Sequence, residues 1–153
     1  AAMAGVQQAT LRAQVSGYLS AVEDLRGQSL TAQRMYKDIY TGSGGSSWRG
    51  TFKSLAKRER GWDILRLTLV RKDWVNKSST WEYEGGGSTR IRETRWYRKL
   101  YAMVAIPDPE NKKQVQLILV GFQLHKMTDG SYRRLKIFHD GTPILMLREN
   151  LSK

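Results

Sequence analysis

The chain reads as α+β, with N-terminal helices packed on an antiparallel sheet. Three observations predict it. Apolar residues recur at spacings of three and four between residues 5 and 60. From Gly61 onward they mostly alternate at period two. The period-two segments are separated by turn residues, with no helical stretch long enough for a parallel crossover.

The first helix is expected over Ala4 to Leu25. Val6, Leu11, Val15, Tyr18, Leu19, Val22 and Leu25 fall on one stripe there. Gly27 is placed to stop it. Ser29 is placed to cap a second helix running to Tyr40, with Leu30, Met35, Tyr36, Ile39 and Tyr40 facing inward. The glycines and serines of Thr41 to Ser47 break that pattern. A third, short helix follows over Ser47 to Arg58, with Trp48, Phe52 and Leu55 as its apolar side; Gly50 weakens its first turn.

The first strand is expected within Trp62 to Asn76, where Leu65, Leu67 and Leu69 alternate with Arg66, Thr68 and Val70. Ser79 to Gly85 is a second strand and Ser88 to Ile106 a long third. Gln114 to Met127, Ser131 to Phe138 and Thr142 to Asn150 are the fourth, fifth and sixth. Gly85 to Gly87, Pro107 to Lys113, Thr128 to Ser131 and His139 to Thr142 are the turns. A chain of 153 residues, 40% hydrophobic and 26% charged, fits one domain over residues 1–153, helical over 5–60 and sheet over 61–150. Ala1 to Ala4 read as a cloning scar.

Composition excludes several kinds of chemistry. With no cysteine there is no disulfide, thiolate metal site or cysteine nucleophile. His125 and His139 are the two histidines, too few for a histidine metal cluster. No apolar run approaches the roughly 20 residues that span a bilayer. Net charge is +12 and the pI is near 10.2, which favours anionic partners: nucleic acid, lipid head groups, wall polymers or an acidic protein.

The most charged stretch is Glu82 to Ile106, EYEGGGSTRIRETRWYRKLYAMVAI. A phosphate loop of the Walker type needs Gly-Lys-Ser/Thr at the start of a helix. Here Gly87 leads to Ser88, Thr89 and Arg90, and a strand follows. The glycines are therefore turn residues. Along that strand Arg90, Arg92, Thr94, Trp96, Arg98 and Leu100 share one face. Ile91, Glu93, Arg95, Tyr97 and Lys99 share the other. Neither face is apolar before Tyr97, so the first half is exposed or bound to a partner and the second half, from Leu100, is core. Trp96 between Arg92 and Arg98 suits base stacking with phosphate contact, or a solvated edge with arginine stacked on tryptophan.

Two other basic clusters stand out. Lys53, Lys57, Arg58 and Arg60 lie at a helix C-terminus, where the macrodipole favours cations. Arg133 and Arg134 lie on the fifth strand. Catalysis is not expected. Asp63, Asp73, Glu82 and Glu84 point outward in the alternating pattern, and His139-Asp140 sits in a turn. No cofactor is called for. Of the five tryptophans, Trp62 and Trp81 are expected in the core.

Three segments carry a resemblance. Helices followed by a strongly bent meander look like the cone-shaped nuclear-transport-factor-2-like (cystatin-like) fold. Within it the chain resembles the extracytoplasmic domain of the bitopic inner-membrane scaffold protein of type IV secretion and conjugation machines. Val15 to Gly42 is similar to that family's first helices, and Val70 to Ile106 to its aromatic-bearing hairpin. Leu117 to Met127 resembles its glycine-phenylalanine strand through Gly121 and Phe122, although Leu119-Val120 replaces the family's Asn-Pro.

The resemblance implies a non-catalytic scaffold that self-associates, contacts other secretion-machine components and is tethered outside the cytoplasm by a membrane anchor not present in this sequence. Expected contact residues, for a protein partner or for DNA or another polyanion, are Arg90, Arg92, Arg95, Trp96, Arg98, Lys99, Phe122, Gln123, Arg133 and Arg134. Two alternatives stay open. One is a nucleic-acid-binding domain using the Arg/Trp strip. The other, weaker, is a small-molecule isomerase or hydratase of the same fold, which needs a buried carboxylate or histidine.

Overall fold

The computed structural model describes residues 2–153, with Ala2 and His139 described by their backbone alone. Ala1, part of the expected scar, and the His139 side chain lie outside the described residues. In order, the elements are α1 (Ala2–Ala32), α2 (Gly45–Arg60), β1 (Arg66–Leu69), β2 (Val75–Glu84), β3 (Arg90–Pro107), β4 (Gln114–Lys126), β5 (Tyr132–Asp140) and β6 (Ile144–Leu147). A 3-10 helix, Arg148–Ser152, follows. The fold is α+β, with two N-terminal helices and a curved, six-stranded antiparallel sheet.

β3 is the spine. One of its edges carries β2 along Arg90 to Lys99 and β1 along Ala102 to Ala105. Its other edge pairs with β4 from Tyr97↔His125 to Pro107↔Val115. β4 in turn carries β5 on its C-terminal half and β6 on its N-terminal half. Residues 90–96 of β3 therefore have β2 on one edge and no strand on the other. They form a two-stranded arm reaching beyond the four-strand-wide body. The expectation of an exposed first half and a buried second half holds, because Leu100 and Ala102 to Ala105 are all buried.

The sheet is buried on both faces in its centre. On one face Phe52, Leu55 and Ala56 of α2 pack against Leu67, Leu69, Leu100, Val104, Val120 and Phe122. Phe52 and Phe122 stack with ring centroids 3.8 Å apart and planes within 3°. Both are fully buried, each contributing about 1.5–3 kcal/mol of hydrophobic stabilisation. On the opposite face Met103, Ala105, Val115, Leu117 and Met146 are covered by Met35 and Leu151. α2 ends on Gly61, whose φ of 69° suits glycine and lets its N–H reach the Lys57 carbonyl. Lys57 then pairs with Asp63, and Arg60 with Asp140. Two cations of that basic cluster thus join α2 to its surroundings.

Four expectations are corrected. The second helix does not form. α1 runs through Gly27 and Ser29 to Ala32, and residues 33–41 follow outside regular secondary structure, with Ile39 bonded to Leu69 on the outer edge of β1. Gly27 is not in the left-handed region that a stop requires, and a glycine inside a helix costs only about 1 kcal/mol. Backbone bonds from Ile39 N–H to Leu69 O and from Thr41 N–H to Lys72 O outweigh helical ones here. Tyr36 and Ile39, expected inward, are exposed.

Next, the expected strand over Trp62 to Asn76 is broken. Residues 70–74 loop out opposite Leu100 and Tyr101 of β3, so β1 and β2 are separate strands on one edge. Trp81 is not core. It lies on the arm, 48% exposed, whereas Trp62 packs against the main cluster as expected. Lastly, His139 and Asp140 end β5 rather than sit in a turn.

α1 departs furthest from its expected packing. It is about 45 Å long at 1.5 Å per residue. Every residue from Met3 to Ser29 is exposed. Its stripe of Leu11, Val15, Tyr18, Leu19, Val22 and Leu25 is 52–79% exposed, and Val6, which falls on the opposite face, is 68% exposed. It meets the body at β6, and its end is pinned by Asn150. That side chain, 2% exposed, donates to the carbonyls of Thr31 and Gln33, both at 3.2 Å.

Candidate functional site

A cleft of about 800 Å³ opens between the arm and the β4–β5 hairpin. The unpaired edge of β3 supplies Glu93, Thr94, Arg95 and Trp96. The end of β4 and its turn supply His125, Lys126, Met127 and Thr128; β5 supplies Arg134, Leu135 and Lys136. The two walls face each other because β4 pairs with β3 only from Tyr97 inward, while β4 and β5 continue past that point.

Two register shifts shape the far wall, one between Gly121 and Phe122 and one between Gln123 and His125. Such bulges bend the strand and re-aim its side chains. At the first, a Cβ on Gly121 would lie 2.4 Å from the Phe138 ring, so glycine makes room for the crossing. At the second, Arg134 has φ 57°, the one positive φ outside glycine among the described residues. A non-glycine residue there stores on the order of 1 kcal/mol of strain, a feature that gathers at binding sites.

Electrostatically the cleft is positive. Arg95, Lys126, Arg134 and Lys136 face it against one carboxylate, Glu93. Glu93 is engaged by Arg95 at 2.8 and 3.3 Å, and that bond holds its carboxyl below the usual range. Partial burial, then the charges of Lys136, Arg95 and Arg134, push the His125 imidazole below its ordinary value. His125 is thus neutral at pH 7, with its Nε2 2.8 Å from the Gln123 amide. Trp96 is 51% exposed at the rim. The Arg95 guanidinium lies 5.2 Å from the centre of the Trp81 ring.

The structure brings together Arg95, Trp96 and Arg134 of the expected contact residues. The others are dispersed. Arg90 lies at the base of the glycine turn, paired with Glu84 in register, and Arg92 lies 3.8 Å from Glu82 across the arm. Arg98 stacks over Tyr132 at 3.9 Å, and Lys99 over Phe138 at 4.0 Å. Arg133 pairs with Asp129 at 3.2 Å. Phe122 and Gln123 are buried, Phe122 against Phe52. Alternation put them on one strand but not at which depth, and they belong to the core rather than to a contact surface.

Sequence reasoning missed Lys126, Lys136 and His125. Folding the Pro107 to Lys113 turn about its middle would set Tyr97 opposite Gln123, whereas the observed register sets it opposite His125, two residues further along, so the grouping needed the actual pairing.

The second candidate surface is α1, whose apolar stripe stands in solvent. Among the described residues no group of three His, Cys, Asp or Glu side chains is placed to hold a metal ion, and no helix is long and apolar enough to cross a membrane. The buried polar side chains among them are Thr68, Gln123 and Asn150. Comparison of the chain with protein-family models, curated proteins and solved structures finds no match.

Proposed function

We propose that this chain is a non-catalytic assembly domain of a type IV secretion (conjugative transfer) machine, working through protein–protein contacts on the extracytoplasmic side of a membrane. The observation that carries the reading is α1. A helix of 31 residues stands off the body with its apolar stripe exposed. In proteins most helical stability comes from packing an apolar face rather than from propensity. A surface of this type is built to be covered by protein. The resemblance of Val15 to Gly42, Val70 to Ile106 and Leu117 to Met127 supplies the machine and the membrane tether.

Photo-cross-linking from Val15 or Val22 in the native cell tests the reading. The expected products are adducts with membrane-associated secretion components, with loss of DNA transfer when Leu11 and Val22 are both changed to Glu. Normal transfer by that double variant refutes it.

A second reading is favoured by the cleft, where four cations and an exposed tryptophan match the chemistry of single-stranded nucleic acid. Fluorescence anisotropy with labelled single- and double-stranded DNA checks it. Binding should weaken steeply with salt, and the slope should shrink by about one for each of Lys126, Arg134 and Lys136 changed to Ala. Negligible binding at about 50 mM salt rules it out.

A further inference from the structure

We infer that α1 is one strand of a parallel, in-register, two-stranded coiled coil formed with a second copy of this chain. The inference rests on the assembly reading and names the partner of its carrying surface. Leu11, Val15, Tyr18, Val22 and Leu25 are separated by four, three, four and three residues. That is a heptad repeat with valine at both central a positions, leucine at two d positions and tyrosine at the third. β-Branched residues at a with leucine at d favour two parallel strands. All five side chains are 52–79% exposed, so nothing in the body competes for them. Ser16, Gly17, Ser20, Glu23, Asp24 and Gly27 fall on the outer b, c and f positions. The glycines that weaken an isolated helix are thus kept out of the seam, where packing supplies the stability.

Orientation follows from layers and charge. In parallel register all five apolar layers meet their own copies. No antiparallel register that sets a against d keeps more than four. One of the two that reach four, pairing Val15 with Leu25 and Tyr18 with Val22, also sets Arg12 beside Arg26 of the other strand. In parallel register the flanking g and e positions pair Gln7 with Arg12, Gln14 with Leu19 and Ala21 with Arg26, so no like charges meet. Gln8 and Ser29, at the a positions on either side of the apolar block, act as polar register marks. The stripe residues each expose on the order of 100 Å², so pairing removes roughly 1,000 Å² over both copies, the lower bound for a specific interface. Pairing sets the two sheet bodies side by side at one end of the coil, each held to its helix by Asn150.

The absence of native cysteine makes the test direct. Sedimentation equilibrium of the whole chain at about 100 µM should report twice the 17.5 kDa of one copy. Under mild oxidation Gln8→Cys and Leu25→Cys, tested singly, should each give disulfide dimers, whereas Ser20→Cys on the outer face should not. Leu11→Glu with Val22→Glu should restore the monomer with the urea unfolding of the sheet unchanged, since neither residue is in the core.

A wild-type monomer at that concentration overturns the inference. So does cross-linking at Ser20 equal to that at Gln8 and Leu25, or a dimer that survives the double Glu variant. A monomeric wild type whose α1 still cross-links to secretion components overturns the pairing alone and leaves the assembly reading standing. A dimer with the expected cross-links whose Glu variant transfers DNA normally supports the pairing and overturns that reading.

Discussion

Asp38 fixes the position of the segment that leads from α1 into the body, and its removal should be measurable. One carboxylate takes two bonds from Arg49 of α2, 2.8 Å from Nε and 2.7 Å from Nη2. It also accepts the Leu69 N–H at 3.1 Å and the Tyr40 N–H at 3.3 Å. The side chains of Arg49 and Asp38 are 33% and 28% exposed, so their ion pair is discounted to about 0.5–1 kcal/mol. Leu69 is fully buried at the outer edge of β1, and leaving its N–H without an acceptor adds about 1–2 kcal/mol. Asp38→Ala should therefore lower stability by about 2 kcal/mol, or Tm by roughly 4–8 °C for a domain of this size. Urea unfolding followed by tryptophan fluorescence measures it. A double-mutant cycle with Arg49→Ala should return a coupling of about 0.5–1 kcal/mol.

The same site predicts a pH dependence. Desolvation raises the Asp38 pKa, but the bonds from Arg49, Leu69 and Tyr40 outweigh it and hold the carboxyl below its usual value. A depressed folded pKa means that the unfolded chain takes up the proton first on acidification. The stabilisation is present above the unfolded value of about 4 and is lost as pH falls through the folded one. Asp38→Asn should flatten that acid limb. A loss below about 0.5 kcal/mol in Asp38→Ala, together with an unaltered acid limb in Asp38→Asn, refutes the reasoning.

Three further expectations follow from single side chains. Asn150→Ala removes the donor that serves the Thr31 and Gln33 carbonyls; it should cost about 1–2 kcal/mol and speed amide exchange in the last turn of α1. Thr68 is buried with no partner for its hydroxyl, so Thr68→Val should raise stability by about 1 kcal/mol, and a loss in urea titration would contradict the assignment. Burial first, and then the cations around it, push the His125 imidazole below its ordinary value, and an anionic chain in the cleft should offset the cations and raise it. DNA should then bind more tightly at pH 6 than at pH 7.5 in anisotropy, and His125→Gln should remove that difference while leaving the salt slope at pH 7.5 unchanged.

Much of the body was legible in the sequence. The switch from helical to alternating period at Gly61, and the turn residues between segments, place most of β2 through β6. The change along β3 from charge on both faces to apolar on both faces marks where the arm leaves the core. The site was legible in part. Arg95, Trp96 and Arg134 were singled out, but their grouping with Lys126 and Lys136 depends on which strand pairs with which and where. The bulges that decide this cost one residue each, and apart from Gly121 nothing in the composition marks them. Phe122 and Trp81 show the limit from both sides. A large ring is equally at home stacked on Phe52 or exposed on an arm, and only the partner strand's extent separates the two.

What the sequence determined by itself is what short-range periodicity encodes: the α+β class, the helix–sheet boundary, the exposed and buried halves of β3, and the heptad spacing of Leu11 to Leu25. The tertiary structure decided the rest. Residues 33–41 leave the helix, because Leu69, Lys72 and Arg49 supply fixed partners for Asp38, Ile39 and Thr41 that local propensity cannot anticipate. α1 kept its stripe and found nothing within the body to cover it. Amphipathic spacing states that a face will be buried; which surface buries it is settled by where the remaining chain lies.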